Sequence, residues 1–83
     1  MTGAERRELV TELVEDGAVL WDGCDDAILG ASDGRVVYSW QRLVACFVAQ
    51  GMTEEEAEDW VGYNIAGAYV GEYTPILITE LTP

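Results

Sequence analysis

AILGASDGRVVYS, residues 27–39, holds two short strand-forming runs on either side of Asp33-Gly34. Asp-Gly is among the strongest short-range hairpin signals, because a two-residue turn that matches strand twist needs positive φ at both central positions. The stretch therefore predicts a β-hairpin. Gly30, inside the first run, marks a bulge or a close backbone approach.

Working outward, Ala4 to Asp16 places Leu9, Val10, Leu13 and Val14 at helical spacing, with Glu5, Glu8, Glu12 and Glu15 on the other side. Gly17 follows as a stop, and Arg6 and Arg7 oppose the helix dipole, which predicts fraying of the first turn. Beyond the hairpin, Ser39 caps a second helix whose apolar residues Trp40, Leu43, Val44, Phe47 and Val48 recur at i, i+3, i+4, i+7 and i+8 before Gly51. Tyr38 and Leu43 stand where a hydrophobic staple would place them.

Thr53 and Glu56 then form a capping box that opens a third helix. Its expected buried face is Ala57, Trp60, Val61, Asn64, Ile65 and Ala68, with Glu54, Glu55, Glu58 and Asp59 outward and Asn64 read as a buried amide bonded to backbone. Gly62, Ala66 and Gly67 are small enough for a close neighbour. The final apolar run, Ile76-Leu77-Ile78, reads as a third strand joining the hairpin. These elements predict an α+β fold in the order α-β-β-α-α-β. A small antiparallel three-stranded sheet would carry three helices on one face, within a single domain over residues 1–83.

Sixteen Asp and Glu stand against four Arg, with no Lys and no His, for a net charge of -12. Such a surface repels nucleic acid and acidic membranes and attracts cationic surfaces. The hydrophobic fraction of 49% and mean hydropathy of +0.06 separate the chain from a disordered acidic tail. Met1 to Val10 lacks the apolar stretch of a signal peptide, and no segment has the roughly 20 apolar residues of a membrane span. Cytoplasm is the expected compartment, and Cys24 and Cys46 are expected as free thiols.

Catalysis is not expected. No His or Lys is available, and a Cys nucleophile would lack the basic partner that lowers its pKa. Asp22, Asp25, Asp26 and Asp33 invite calcium, yet a loop begun at Asp22 has Ala27 where the sharp turn needs Gly and Asp33 in place of the bidentate Glu. Neither metal nor cofactor is expected.

The segments Asp25-Asp26-Ala27-Ile28-Leu29-Gly30 and Gly51-Met52-Thr53-Glu54-Glu55-Glu56-Ala57 belong to a longer pattern. It continues with Asn64-Ile65-Ala66-Gly67-Ala68-Tyr69-Val70-Gly71-Glu72 and Thr74-Pro75-Ile76. The pattern resembles a family of small acidic proteins encoded by bacteriophages and prophages. It spans residues 22–78, leaves the first helix outside, and departs at Gly62, where related sequences favour an acidic or bulky residue. The resemblance implies a viral origin, a small α+β fold, a host-cytoplasm setting and no assigned catalytic activity.

Glu54 with Glu58, and Glu55 with Asp59, are i, i+4 pairs about 6 Å apart, a spacing that imitates a phosphate row. Trp21 and Tyr73 fall in loops, where aromatic residues serve as interface anchors beside an acidic rim. The expected partner surface is Asp22, Asp25, Asp26, Glu54, Glu55, Glu58 and Asp59 with Trp21 and Tyr73. The expected function is binding and inhibition of a basic nucleic-acid-handling host protein, of the anti-CRISPR or anti-restriction type, by nucleic-acid mimicry. The alternative is a non-catalytic phage structural or assembly protein that self-associates, as a homodimer for example, with acidity serving solubility.

Overall fold

A computed structural model describes residues 1–67 and 71–81. Strands β1 (Ile28–Ser32) and β2 (Arg35–Ser39) pair antiparallel, with Ser32 opposite Arg35. Asp33 and Gly34 take φ of 52° and 74°, the two positive values of a type I′ turn. The register slips between Ile28 and Gly30, so Leu29 is the extra residue of a bulge. Gly34 also admits a neighbour: a Cβ there would lie 2.5 Å from Glu15 Cγ, and the Glu15 N–H donates to the Gly34 carbonyl at 3.0 Å.

Helix α1 spans Gly3–Thr11 and ends earlier than its apolar spacing predicts. Thr11 Oγ1 donates back to the Arg7 carbonyl at 2.7 Å, a bond that competes with the helix ladder, and the chain leaves to reach the hairpin turn. Val10 alone of its residues is buried, while Leu9 and Leu13 are exposed. The first turn is not left to fray. Thr2 and Glu5 close a capping box, Thr2 Oγ1 accepting from Glu5 N–H and the Glu5 carboxylate accepting from Thr2 N–H.

Helix α2 (Trp40–Ala49) begins at Ser39, whose hydroxyl accepts from Arg42 N–H. Gly51, at φ 111°, ends it: Gly51 N–H bonds the Val48 carbonyl and Met52 N–H the Phe47 carbonyl, the paired closure of a Schellman motif. Helix α3 (Glu54–Val61) follows the Thr53–Glu56 capping box. It runs on into one π turn over Gly62–Ala66, closed by Gly67 N–H to the Gly62 carbonyl. At that wider pitch the helix face advances by more than 3.6 residues per turn, so position 64 leaves the core side. Asn64 is exposed rather than buried, and its side-chain amide donates to the Trp60 carbonyl at 3.0 Å. Ala57, Val61 and Ile65 are buried as the spacing predicts, Trp60 partly so. Ala68 and Tyr69 lie outside the described residues.

Strand β3 (Ile76–Ile78) joins β2, completing the order β1-β2-β3 in an α+β fold. It runs parallel to β2 rather than antiparallel, giving a mixed sheet. Residues 40–75 supply the long crossover that parallel pairing needs, since the two helices carry the chain back past β2 before it turns. Val36, Tyr38, Leu43, Ala57 and Val61 form the centre of the core with no exposed surface. Burying a side chain such as Leu43 contributes about 2 to 3 kcal/mol.

The cysteines correct the free-thiol expectation. Cys24 and Cys46 form a disulfide, with Cα atoms 6.0 Å apart, and there is no free cysteine. Twenty-two positions separate them in sequence, and only the hairpin's reversal brings α2 back beside the short 3-10 turn Asp25–Ala27. The thiol premise for a reducing compartment falls with that pairing.

Candidate functional site

The four arginines decide where negative charge is left uncompensated. Arg6 Nη1 donates to the Ile28 carbonyl at 2.7 Å, beside the β1 bulge. Arg7 bridges two carboxylates, Asp25 at 2.8 Å and Asp22 at 3.0 Å, and the Asp25 hydrogen bond raises its pKa further. Arg35 Nε donates to the Thr74 carbonyl, strapping the segment before β3 onto the hairpin. Arg42 pairs with Glu80 at 3.4 Å. Every cation on a side chain is therefore turned to an internal partner.

The Asp22, Asp25 and Asp26 group is accordingly answered from within. Asp22 and Asp25 are drawn together by Arg7, and Asp26 sits against the start of α1, where a Cβ on Gly3 would lie 2.9 Å from its Oδ1. A carboxylate there complements the positive end of the helix dipole. Asp22 nonetheless keeps 94% of its side chain exposed, so its pairing is a weak surface contact.

Helix α3 is different. Glu54, Glu55, Glu56, Glu58 and Asp59 put five carboxylates into its 8 residues, all exposed. Among the described residues no arginine lies within ion-pair distance of any of them. Glu54 borders the α2 face of Gln41, Val44 and Val48, whereas Asp59 borders Trp60 and Tyr63, so the row spans both flanks of the helix. Glu56, absent from the expected surface, is held by its capping bond from Thr53 N–H at 3.0 Å, which lowers its carboxyl pKa. Its place in the box hid its second role as part of the acidic face.

The two expected anchors are half-buried. Trp21 packs against the core, its backbone N–H donating to Tyr38 Oη at 2.8 Å, and its indole Nε1 is buried without a partner among the described residues. Tyr73 lies over the hairpin turn, its ring 3.4 Å from where a Gly34 Cβ would stand; Glu72 and then Glu15 raise its pKa. Neither stands on α3. The exposed aromatic that does adjoin the α3 carboxylates is Tyr63, at 82% exposure. Its spacing from Trp60 and Asp59, i+3 and i+4, was the available signal.

Among the described residues no three His, Cys, Asp or Glu side chains converge to hold a metal ion, and no helix is long and apolar enough to cross a membrane. No family model matches the chain, and neither a curated protein nor a solved structure is significantly similar to it.

Proposed function

We propose that the chain is a phage-type acidic binding protein that acts in the host cytoplasm, a setting that requires the Cys24–Cys46 bridge to persist against the reducing thiol pool. Its partner is a basic, nucleic-acid-handling host protein, such as a component of CRISPR or restriction defence. It inhibits that protein without catalysis, by occupying the groove that otherwise holds a nucleic-acid backbone. One observation carries the reading: all four arginines make contacts within the chain, leaving the α3 carboxylates as a row with no ion-pair partner among the described residues. Rows of like charge at i, i+4 cost an isolated helix a few tenths of a kcal/mol per pair, a cost that a cationic partner offsets. Asp22 and Asp26, both exposed, extend the anionic surface, whereas Trp21 and Tyr73 are half-buried and do not stand on α3.

The test is displacement of nucleic acid from the partner protein by this chain, measured across salt. Affinity is expected to fall steeply from about 50 to about 500 mM NaCl, as counterion-linked contacts do. The combined variant Glu54→Gln, Glu55→Gln, Glu58→Gln, Asp59→Asn should lose displacement while keeping its circular-dichroism spectrum. An affinity indifferent to salt, or full potency in that variant, refutes mimicry.

A second reading, self-association in a phage assembly, has one observation in its favour. Met1, Leu9 and Leu13 are 75%, 49% and 66% exposed and line a groove with Leu29 beside β1, an edge strand of the sheet. Mass by light scattering separates the two readings.

A further inference from the structure

Met52, Glu56, Asp59, Trp60, Tyr63 and Asn64 line one surface depression of about 390 Å³ where α3 passes into the π turn. Its chemistry is mixed in a specific way. Two aromatic rings, a thioether and an amide share the space with two carboxylates, and no arginine borders it. Both kinds of group are held before any ligand arrives. The Trp60 ring packs on Phe47 with centroids 4.5 Å apart at 42°, and Phe47 is itself buried. The Glu56 carboxylate is fixed through Oε1 by Thr53 N–H, leaving its second oxygen unused by the capping box. Tyr63 stands almost free of the protein, so its ring can close over an occupant at little cost to the fold.

We propose that this depression is the seat for an arginine side chain of the basic partner. The inference rests on the proposed function and names the chemical group that function would recognise at this place. A guanidinium stacks its plane on aromatic faces and presents a fork of N–H donors to a carboxylate, and here rings and carboxylates border the same space. An ammonium makes the charge contact but lacks the flat face, so lysine is the poorer occupant. Anionic ligands are disfavoured by the net charge of -12, and a neutral planar ligand gains no charge contact from the two carboxylates. Preorganisation of Trp60 and Glu56 removes part of the ordering cost of binding.

The experiment uses the full chain and three short peptides with blocked ends, identical except for two positions that carry Arg, Lys or uncharged citrulline. Binding is followed by amide and indole NMR shifts. The Arg peptide is expected to shift the Trp60 indole and the Tyr63 and Asp59 amides, to bind more tightly than the Lys peptide, and to exceed citrulline by the widest margin. Tyr63→Ala leaves the net charge unchanged and removes an exposed ring, so folding is preserved; it should weaken the Arg peptide about threefold to fivefold. Glu8→Gln removes one charge on α1 and should have little effect, whereas Asp59→Asn should weaken binding. Equal affinity for Arg and Lys, or an unchanged affinity in Tyr63→Ala, overturns the seat. Shifts spread evenly over the α1 carboxylates do the same. If Tyr63→Ala binds normally while the combined α3 amide variant still fails to displace nucleic acid, the seat falls and the mimicry reading survives.

Discussion

Tyr38 carries a hydroxyl into the core to accept the Trp21 N–H, tying the loop before the 3-10 turn to the end of β2. Burial pushes its pKa up, partly opposed by that hydrogen bond. The phenol is an acid whose folded-state pKa exceeds the unfolded value of about 10. Its contribution is therefore intact below about pH 10 and is lost as the unfolded chain ionises first above that pH. Tyr38→Phe should cost about 1 to 2 kcal/mol at neutral pH, because the Trp21 N–H loses its acceptor, and should flatten the alkaline loss of stability. Urea unfolding at pH 7 and pH 10.5 checks both halves. An alkaline slope unchanged in the variant would assign that loss to other groups. The same pair shows what residue-level reading of a sequence misses. Tyr38 was legible as a staple residue over Leu43, and both are fully buried, but the hydroxyl's partner lies 17 positions away and leaves no local trace.

At the scale of elements, signals confined to a few neighbouring residues were readable and long-range ones were not. Asp33-Gly34, Ser39, Gly51 and the Thr53–Glu56 box each act within four residues of themselves, and each appears where its chemistry requires. Thr2–Glu5 is the same box at α1, overshadowed by the unfavourable Arg6 and Arg7, whose charges in fact leave the helix to bond Ile28 and the two aspartates. The direction of β3 depends on where two helices deposit the chain, and the π turn depends on how α3 meets its surroundings. Neither is encoded in a short window. The carboxylates of α3 were legible as a row, while the inward use of all four arginines, which isolates that row, was not.

One long-range device gives a sharp expectation. The Gln41 side chain pairs with Glu80 as a neighbouring strand would, Nε2 donating to the Glu80 carbonyl at 2.7 Å and Oε1 accepting the Glu80 N–H at 2.9 Å. The Glu80 carboxylate in turn accepts from Ser39 Oγ at 2.9 Å, bringing a negative charge to a helix start that has no acid of its own in the first turn. Gln41→Ala should accelerate hydrogen exchange at Glu80 and along β3 while leaving the β1–β2 hairpin amides protected. Faster exchange in the hairpin as well would mean that the clamp supports the whole sheet rather than its last strand.

Over the whole molecule, a net charge of -12 works against the compact state through self-repulsion. Arg7 and Arg42 pair with Asp22, Asp25 and Glu80, and the remaining surface carboxylates repel one another and are relieved by dissolved counterions. The melting temperature should therefore rise from low salt to about 1 M NaCl, a span over which the screening length shortens to about 3 Å. Calorimetry checks it, and a melt that does not move would show that self-repulsion is not what limits the fold. Replacing Glu8 or Glu12 by Gln should give part of the same gain at low salt, since both lie on the exposed side of the first helical segment.

The Cys24–Cys46 bridge closes a covalent ring around the hairpin and most of α2, with α3 and β3 outside it. A protease that cut the chain at the Asp33-Gly34 tip would thus produce no separate fragments. The two pieces would travel as one species through a sizing column or a non-reducing gel, heavier than the parent by a single water, and would part only when a thiol was added.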